Sequence, residues 1–253
     1  MFKHAIVKTP CANMVNGITE AGLGQPDYQL ALQQHKLYIK ALQQCGLDVT
    51  VLPADEKFPD SCFIEDPAVI TQHGAIITHP GADSRKGETK AIEQALLNQG
   101  LDIQHIKAPG TLDGGDVMMV DKHFYIGLSD RTNQQGAQQL IGILEQQGMS
   151  GETVEMNGLL HLKTGLSYLE NNRLLVSQEM IGHPAFESFN LLTVPAAESY
   201  AANCIWINGQ VIVPKGFPKS QAMIEQAGYS TIAVDVSEFR KLDGGLSCLS
   251  LRF

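Results

Sequence analysis

Six side chains able to do chemistry recur at comparable points along the chain: Asp60, Asp66, Asp113, Asp116, His161 and Cys248. A thiol, an imidazole and a carboxylate supply a nucleophile, a proton shuttle and an orienting group, the set that covalent catalysis requires. Gathered at one place they would line a polar, anionic cavity. Cys248 follows Gly244 and Gly245, whose missing Cβ atoms are expected to allow unusual φ values and close approach of another molecule. Cys62 and Cys204 alternate with apolar residues and read as small core hydrophobes. Other chemistries lack their residues. There is no CxxC, HExxH or HxxxH pair for a zinc site, no phosphate-cradling GxxxxGKS or GxxxxGKT loop, and no GxSxG elbow. Gly22-Leu23-Gly24 lacks the third glycine and the preceding strand of a dinucleotide site. No metal and no cofactor are expected.

What would position those side chains is a repeated unit of strand, tight turn, strand, polar loop and helix. The first copy runs from an extended Cys62–Ile70 through Gln72-His73-Gly74 and Ala75–Thr78 to a helix at Glu88–Asn98. Val117–Val120, Phe124–Ile126 and the helix Asn133–Gln147 make a second copy. His161–Leu169, Arg173–Ser177 and Pro184–Phe189 make a third, and Cys204–Ile207, Gln210–Val213 and Ser220–Gly228 a fourth. Strand starts near 62, 117, 161, 204 and 248 are 55, 44, 43 and 44 residues apart. The fifth copy, Cys248–Phe253, has one strand, and its missing parts lie at the other terminus as the strand Phe2–Lys8 and the helix Tyr28–Cys45. A ring of five units closed by pairing the chain ends explains both fragments and leaves no open strand edge. The tetrapeptide LDGG, at 112–115 and again at 242–245, supports internal symmetry within a single domain spanning 1–253. In that ring the six reactive side chains would meet near the axis.

Composition bounds the reading. With 253 residues, 43% hydrophobic and 18% charged, the chain is neither disordered nor fibrous. No apolar stretch approaches the roughly 18 residues of a membrane span. The start, Met1 to Lys8, is too interrupted by charge for a signal peptide, so a cytoplasmic location is expected. Five scattered cysteines do not form a secreted disulfide framework, and reduced thiols are expected. A formal charge of -9 disfavours nucleic acid and anionic lipid as partners and favours a small cationic ligand.

Seven segments then carry a resemblance: FPDSCFIEDP (58–67), HPGADSRKGE (79–88), APGTLDGGDVMM (108–119), GLSDRTNQQGA (127–137), LLHLKTGLSYLE (159–170), YAANCIWIN (200–208) and KLDGGLSCLSLRF (241–253). Together, over the whole chain from Phe2 to Phe253, they resemble the bacterial dimethylarginine dimethylaminohydrolases, a family of the guanidino-group-modifying, or pentein, superfamily. The resemblance implies a five-fold pseudosymmetric α/β propeller of ββαβ units, in agreement with the ring. It also implies roles. Cys248 would be the nucleophile, His161 the general acid and base, and Asp113 the acid that orients the histidine, with Asp116 the competing candidate. Asp66 would bind a guanidinium, with Asp60 and Glu65 nearby. Arg85 and Arg131 would hold the amino-acid end of the substrate. Residues 15–28 would form a lid, Ile18 touching substrate through its backbone, with Leu242 also in the substrate site.

The implied reaction is hydrolysis of Nω-methylated L-arginine to L-citrulline and methylamine or dimethylamine, and a homodimer is expected on the same ground. Arginine deiminases typically carry HxD around the histidine, where this chain has Lys163, which removes a carboxylate suited to an unsubstituted guanidinium. Two alternatives stay open here: a deiminase for another guanidino compound such as free arginine, and a non-enzymatic binding protein for cationic amino acids.

Overall fold

The computed structural model describes residues 1–156 and 158–253, which form two compact units, Ile64–Thr164 and the pair of segments Met1–Phe63 and Gly165–Phe253. In chain order the strands and helices are β1 (His4–Lys8), α1 (Tyr28–Gln44), β2 (Asp48–Leu52), β3 (Ala68–Thr71), β4 (Gly74–Ile77), α2 (Thr89–Asn98) and β5 (Ile103–His105). There follow β6 (Val117–Val120), β7 (His123–Leu128), α3 (Gln134–Gln146), β8 (Ser150–Glu155), α4 (Leu162–Gly165), β9 (Leu166–Tyr168) and β10 (Arg173–Val176). The remainder is β11 (Asn190–Thr193), β12 (Ile205–Ile207), β13 (Gln210–Pro214), α5 (Pro218–Gln226), β14 (Ser230–Val234), α6 (Ser237–Arg240) and β15 (Leu251–Arg252).

Among the described residues the strands form five three-stranded sheets that share one pairing pattern, and in four of them also one connectivity. Two strands pair antiparallel, and a return then lays a third strand parallel to the second. The smaller unit holds β3-β4-β5 and β6-β7-β8, and the larger holds the other three sheets. In one of these the chain ends meet, with Ala5 opposite Arg252 and Ile6 opposite Leu251. The mixed α/β architecture read from the spacing is thus present as five like units. The closing strand of each unit, β2, β5, β8, β11 or β14, is largely half-exposed or exposed, and it goes beyond the strand, turn, strand, loop and helix read from the spacing.

Local chemistry sets the boundaries. Asp27 caps α1 by accepting from the Leu30 N–H at 3.0 Å, and Asn133 caps α3 by accepting from the Gly136 N–H at 2.8 Å. The inward faces of these helices build separate cores. Tyr38 and Leu42 of α1 pack with Phe239 and Ile212 in the larger unit. Leu140 and Leu144 of α3 pack with Phe124 and Ile76 in the smaller. Four of the five free cysteines are buried, Cys62 and Cys204 among apolar side chains. Burial pushes the Cys204 thiol up to about 12, so it is inert. No helix among the described residues is long and apolar enough to cross a membrane.

Four expected elements differ, one being the strand Cys248–Phe253, which starts within the 3-10 turn Ser247–Leu249 and pairs only at Leu251–Arg252. The extended stretch 62–70 is irregular as far as Pro67, which has no N–H for a ladder, and pairing starts at Ala68. Residues 162–165 turn as α4 instead of extending, and the Leu162 N–H is taken by the Asp116 carboxylate at 2.9 Å. The third copy's helix is only a 3-10 turn, Pro184–Phe186, capped by the His183 ring.

Candidate active site

In the smaller unit, His161 sits just before α4 and Asp113 just before the 3-10 turn Gly114–Asp116 that leads into β6. The His161 Nε2–H donates to Asp113 Oδ2 at 3.1 Å, with the histidine side chain 10% exposed and the aspartate fully buried. Asp113 Oδ1 also accepts from the Gly81 N–H at 3.0 Å, which fixes the carboxylate plane. Asp116 does something else. Its two oxygens accept from the Ser129 hydroxyl at 2.6 Å and the Leu162 N–H at 2.9 Å, so it anchors the backbone beside His161 and not the ring. Of the two acids, the structure brings Asp113 to the imidazole.

The glycines of the first LDGG make this approach possible. A Cβ on Gly115 would lie 2.8 Å from both Asp66 Oδ1 and His161 Nδ1, and one on Gly114 would lie 2.1 Å from the Glu65 carbonyl oxygen. Only bare backbone fits between the loop carrying Asp66 and the ring of His161. Electrostatics follow from the crowding. Burial alone would push the imidazole down, but Asp66, the Asp113 hydrogen bond and Asp116 outweigh it and raise its pKa to about 9. Burial likewise opposes charge on Asp113, yet the imidazolium, Arg85 and the Gly81 amide hold its carboxyl below the ordinary value. At neutral pH the ring is a cation ready to give up a proton.

Asp66, Glu65, Arg85 and Lys163 form two ion pairs beside it. Arg85 Nη1 meets Asp66 Oδ2 at 2.5 Å, while its Nη2 and Nε meet the Glu88 carboxylate at 2.8 Å and 3.1 Å. Arg85 is only 6% exposed. The residue expected to hold the amino-acid end of a substrate is thus placed against Asp66 and Glu88. Glu88 was not singled out in the sequence, although its position three residues after Arg85 is the spacing at which helical side chains meet. Lys163 Nζ donates to Glu65 Oε1 at 2.6 Å, tying the loop of Asp66 to that of His161. Arg131 is half-buried, its N–H donating to the Ser129 hydroxyl at 3.0 Å, and among the described residues its guanidinium makes no ion pair. Asp66, Asp113 and His161 each direct one ligand atom into a space where all lie within 4.8 Å of one another, a geometry a divalent cation could use. Two of these groups already share a proton, however, and Asp66 already carries Arg85.

In the larger unit, Cys248 lies in the 3-10 turn Ser247–Leu249, half-buried, and the Gly245 N–H donates to its Sγ at 3.4 Å. Asp60 Oδ1 accepts from the Ile18 N–H at 3.0 Å, and the space a Cβ of Gly17 would need is filled by Asp60 Oδ1 at 2.7 Å and Leu242 Cδ1 at 3.3 Å. Asp60, Ile18 and Leu242 are therefore brought together. Asp243 accepts from the Thr19 hydroxyl at 3.0 Å and the Glu20 N–H at 2.7 Å, pinning residues 15–28 at a second point. The second LDGG corrects one expectation. Neither Gly244 nor Gly245 has a positive φ, and the space beside them is taken by this chain's own Phe63, 2.2 Å from a Gly244 Cβ, and Asn203, 2.4 Å from a Gly245 Cβ. Both LDGG copies serve close packing of backbone against a neighbouring loop.

Three comparisons bear on these residues. A family model described as N,N dimethylarginine dimethylhydrolase, eukaryotic, matches residues 24–192. N(G),N(G)-dimethylarginine dimethylaminohydrolase of Pseudomonas aeruginosa is 54% identical over 254 residues, covering 100% of both chains. A structure of the Pseudomonas aeruginosa protein, a cysteine-to-serine mutant complexed with citrulline, superposes with a TM-score of 0.98 over 100% of each chain at 54% identity. A histidine-to-glycine dimethylarginine dimethylaminohydrolase in adduct with S-methyl-L-thiocitrulline matches with the same score, identity and coverage. With full-length identity of this order and a matching fold, the chain belongs to the dimethylarginine dimethylaminohydrolase family.

Proposed function

We propose that this protein hydrolyses Nω-methylated and Nω,Nω-dimethylated L-arginine to L-citrulline and methylamine or dimethylamine through a covalent cysteine intermediate. The observation that carries the reading is the buried imidazole of His161, held protonated by Asp113 within a cluster of carboxylates, in a chain of this family. Relatives bearing changes at a cysteine and a histidine hold citrulline and a thiocitrulline adduct, which supports a cysteine and histidine chemistry here.

A guanidinium is delocalised and a poor electrophile, so it must be pinned by carboxylates before attack is feasible. Asp66 and Asp60 are assigned to that task. The Cys248 thiolate adds to the guanidinium carbon, His161 gives its proton to the departing amine, and the C–N bond breaks to leave a thiouronium on sulfur. Neutral His161 then takes a proton from water as the oxygen attacks the same carbon. The C–S bond breaks, the thiolate returns, His161 keeps the proton it took from water, and the protonated urea gives its remaining proton to solvent as citrulline leaves. The bound cation favours the thiolate by its charge, so substrate helps generate its own nucleophile.

Arg131 is assigned to the α-carboxylate, since its guanidinium is not consumed by an ion pair among the described residues. Arg85, placed between Asp66 and Glu88, is assigned to fixing Asp66 in position for the substrate guanidinium. Lys163 paired with Glu65 puts a cation where a deiminase would offer a second carboxylate, which favours alkylated over free arginine. One catalytic domain over residues 1–253, a cytoplasmic location and a homodimer belong to the same reading. Incubation with asymmetric dimethylarginine and colorimetric detection of citrulline tests it. Methylated arginines should exceed arginine in kcat/KM; equal or better use of arginine would make the protein a deiminase, and no turnover of either would leave a binding protein.

A further inference from the structure

Tyr200 opens the segment YAANCIWIN, to which the proposed reaction assigns no task. In the larger unit it is half-buried, and its hydroxyl donates to the Gly244 carbonyl at 2.7 Å. A carbonyl can only accept, so the direction of this bond is fixed. The peptide that carries that oxygen also carries the Gly245 N–H, which donates to Cys248 Sγ at 3.4 Å. Both contacts therefore belong to one rigid plate. The peptide is trans, so its C=O and N–H lie in one plane and point opposite ways. A glycine stands on each side of it, and glycine reaches either sign of φ at little cost, so nothing in the chain's own geometry keeps the N–H on the sulfur side. The tyrosine ring is held in turn, with the Arg240 guanidinium 4.7 Å from its centroid and the Phe217 ring 5.5 Å away.

We propose that Tyr200 is a positioning residue for Cys248: by holding the Gly244 oxygen, its hydroxyl keeps the Gly245 N–H aimed at the sulfur. The inference rests on Cys248 being the nucleophile, and it needs that N–H to be one donor to the sulfur, not the sole one. The thiolate is the attacking species, and a donor aimed at a charged group favours the charged form. A carbonyl that accepts a hydrogen bond also polarises its peptide, which makes the N–H at the other end a stronger donor. Burial, then the Cys248 thiolate and Asp235, push the Tyr200 phenol up against the opposing Arg240 cation, so the hydroxyl keeps its proton while the thiol titrates. Arg252, whose Nη1 donates to the Ser247 carbonyl at 3.2 Å, is a further cation on the Cys248 loop. Tyr200→Phe leaves these charges and the ring in place and removes one hydroxyl.

The test reads the sulfur and the peptide separately in the full chain. The pH dependence of iodoacetamide labelling of Cys248 is followed by mass spectrometry of the peptide that contains it. Gly-Gly steps occur only at 114–115 and 244–245, so in protein grown on glycine isotopically labelled at both its carbonyl carbon and its nitrogen, a carbonyl-to-amide NMR correlation shows Gly115 and Gly245 alone. Tyr200→Phe should raise the labelling midpoint by about 0.2 to 0.6 pH unit, roughly 10 to 30% of the two pH units that a hydrogen bond to a charged group supplies at most. It should move the Gly245 amide proton upfield relative to Gly115. On the acid limb of the pH profile kcat should fall about 1.5- to fourfold, recovering above it, with KM for a methylarginine within about twofold. A merely structural tyrosine would lower the melting temperature alone, so an unmoved midpoint or an unmoved Gly245 signal overturns the proposal. If Tyr200→Phe fails to fold, the parent decides: its Gly245 signal must move across the pH range in which Cys248 becomes labelled, and that movement must vanish in Cys248→Ala. A signal that does not titrate, or that titrates unchanged without the thiol, refutes the proposal. Neither readout depends on turnover: a parent chain that makes no citrulline overturns the proposed reaction, whereas an active parent with an unmoved Tyr200→Phe overturns only the role of Tyr200.

Discussion

Asp113→Asn is an isosteric change that removes one negative charge from the His161 ring while leaving an oxygen able to accept from Nε2. The pair is 3.1 Å apart and buried, which at an effective dielectric near 20 corresponds to about 5 kcal/mol of attraction before desolvation is subtracted. The net value of a charge-assisted hydrogen bond is smaller, about 1.5 to 3 kcal/mol, and that is equivalent to about one to two pH units. Loss of an anion disfavours the imidazolium, so the titration of His161 should move down from about 9 by that amount. The proton donated to the leaving amine would then be lost at lower pH, shifting the alkaline limb of kcat downward. Stability should follow the same sign. The ring binds a proton more tightly folded than unfolded, so its contribution is full below the ordinary histidine value near 6.5 and disappears as pH rises to about 9. In Asp113→Asn that window should narrow from its upper end. The assays are the kcat–pH profile with a methylarginine and urea unfolding at a series of pH values. An unmoved alkaline limb would refute the argument, as would a larger shift in Asp116→Asn, because Asp116 holds the Leu162 backbone and not the ring.

Cys248→Ser should abolish turnover with the fold intact by circular dichroism; activity within about tenfold of the parent contradicts a covalent nucleophile, whose loss costs several kcal/mol in the barrier. Arg131→Ala should raise KM by about ten- to a hundredfold, the value of a charge-assisted contact to a carboxylate, and should erode discrimination against decarboxylated analogues in steady-state kinetics. Arg85→Ala should act chiefly on stability: it leaves Asp66 and Glu88 buried without their cation, costing about 3 to 5 kcal/mol in urea unfolding, and a change in KM alone would contradict this. Lys163→Met and Glu65→Gln should each destabilise by about 1 to 3 kcal/mol, while the double variant recovers part of the loss, since neither charge is then left unpaired. Fully additive losses in denaturant titrations would show that the two side chains do not interact.

Much of this molecule was legible in its sequence because the information is local and repeated. Strand and turn periodicity, recurring along the chain, was enough to read like units, since a hairpin is specified by residues close together in the chain, and the incomplete units left at the two ends were enough to read the pairing of Phe2–Lys8 with the C-terminal strand. The reactive residue types were legible too, because a thiol or an imidazole is chemically distinct wherever it stands. Which of two aspartates meets His161 was not, for Asp113 and Asp116 are three residues apart in one turn and differ only in which carboxylate the loop aims inward. Nor were the partners of Arg85 and Lys163, since an arginine has the same local signature whether it awaits a substrate carboxylate or is spent on Asp66. The LDGG glycines teach the same lesson: the sequence offered missing Cβ atoms, and only the tertiary structure decided that Asp66 and His161, or Phe63 and Asn203, fill the space. A side chain's type is written in the chain, but its partner is set by packing between segments far apart in sequence, where a few tenths of an ångström and the loss of water determine which charges pair.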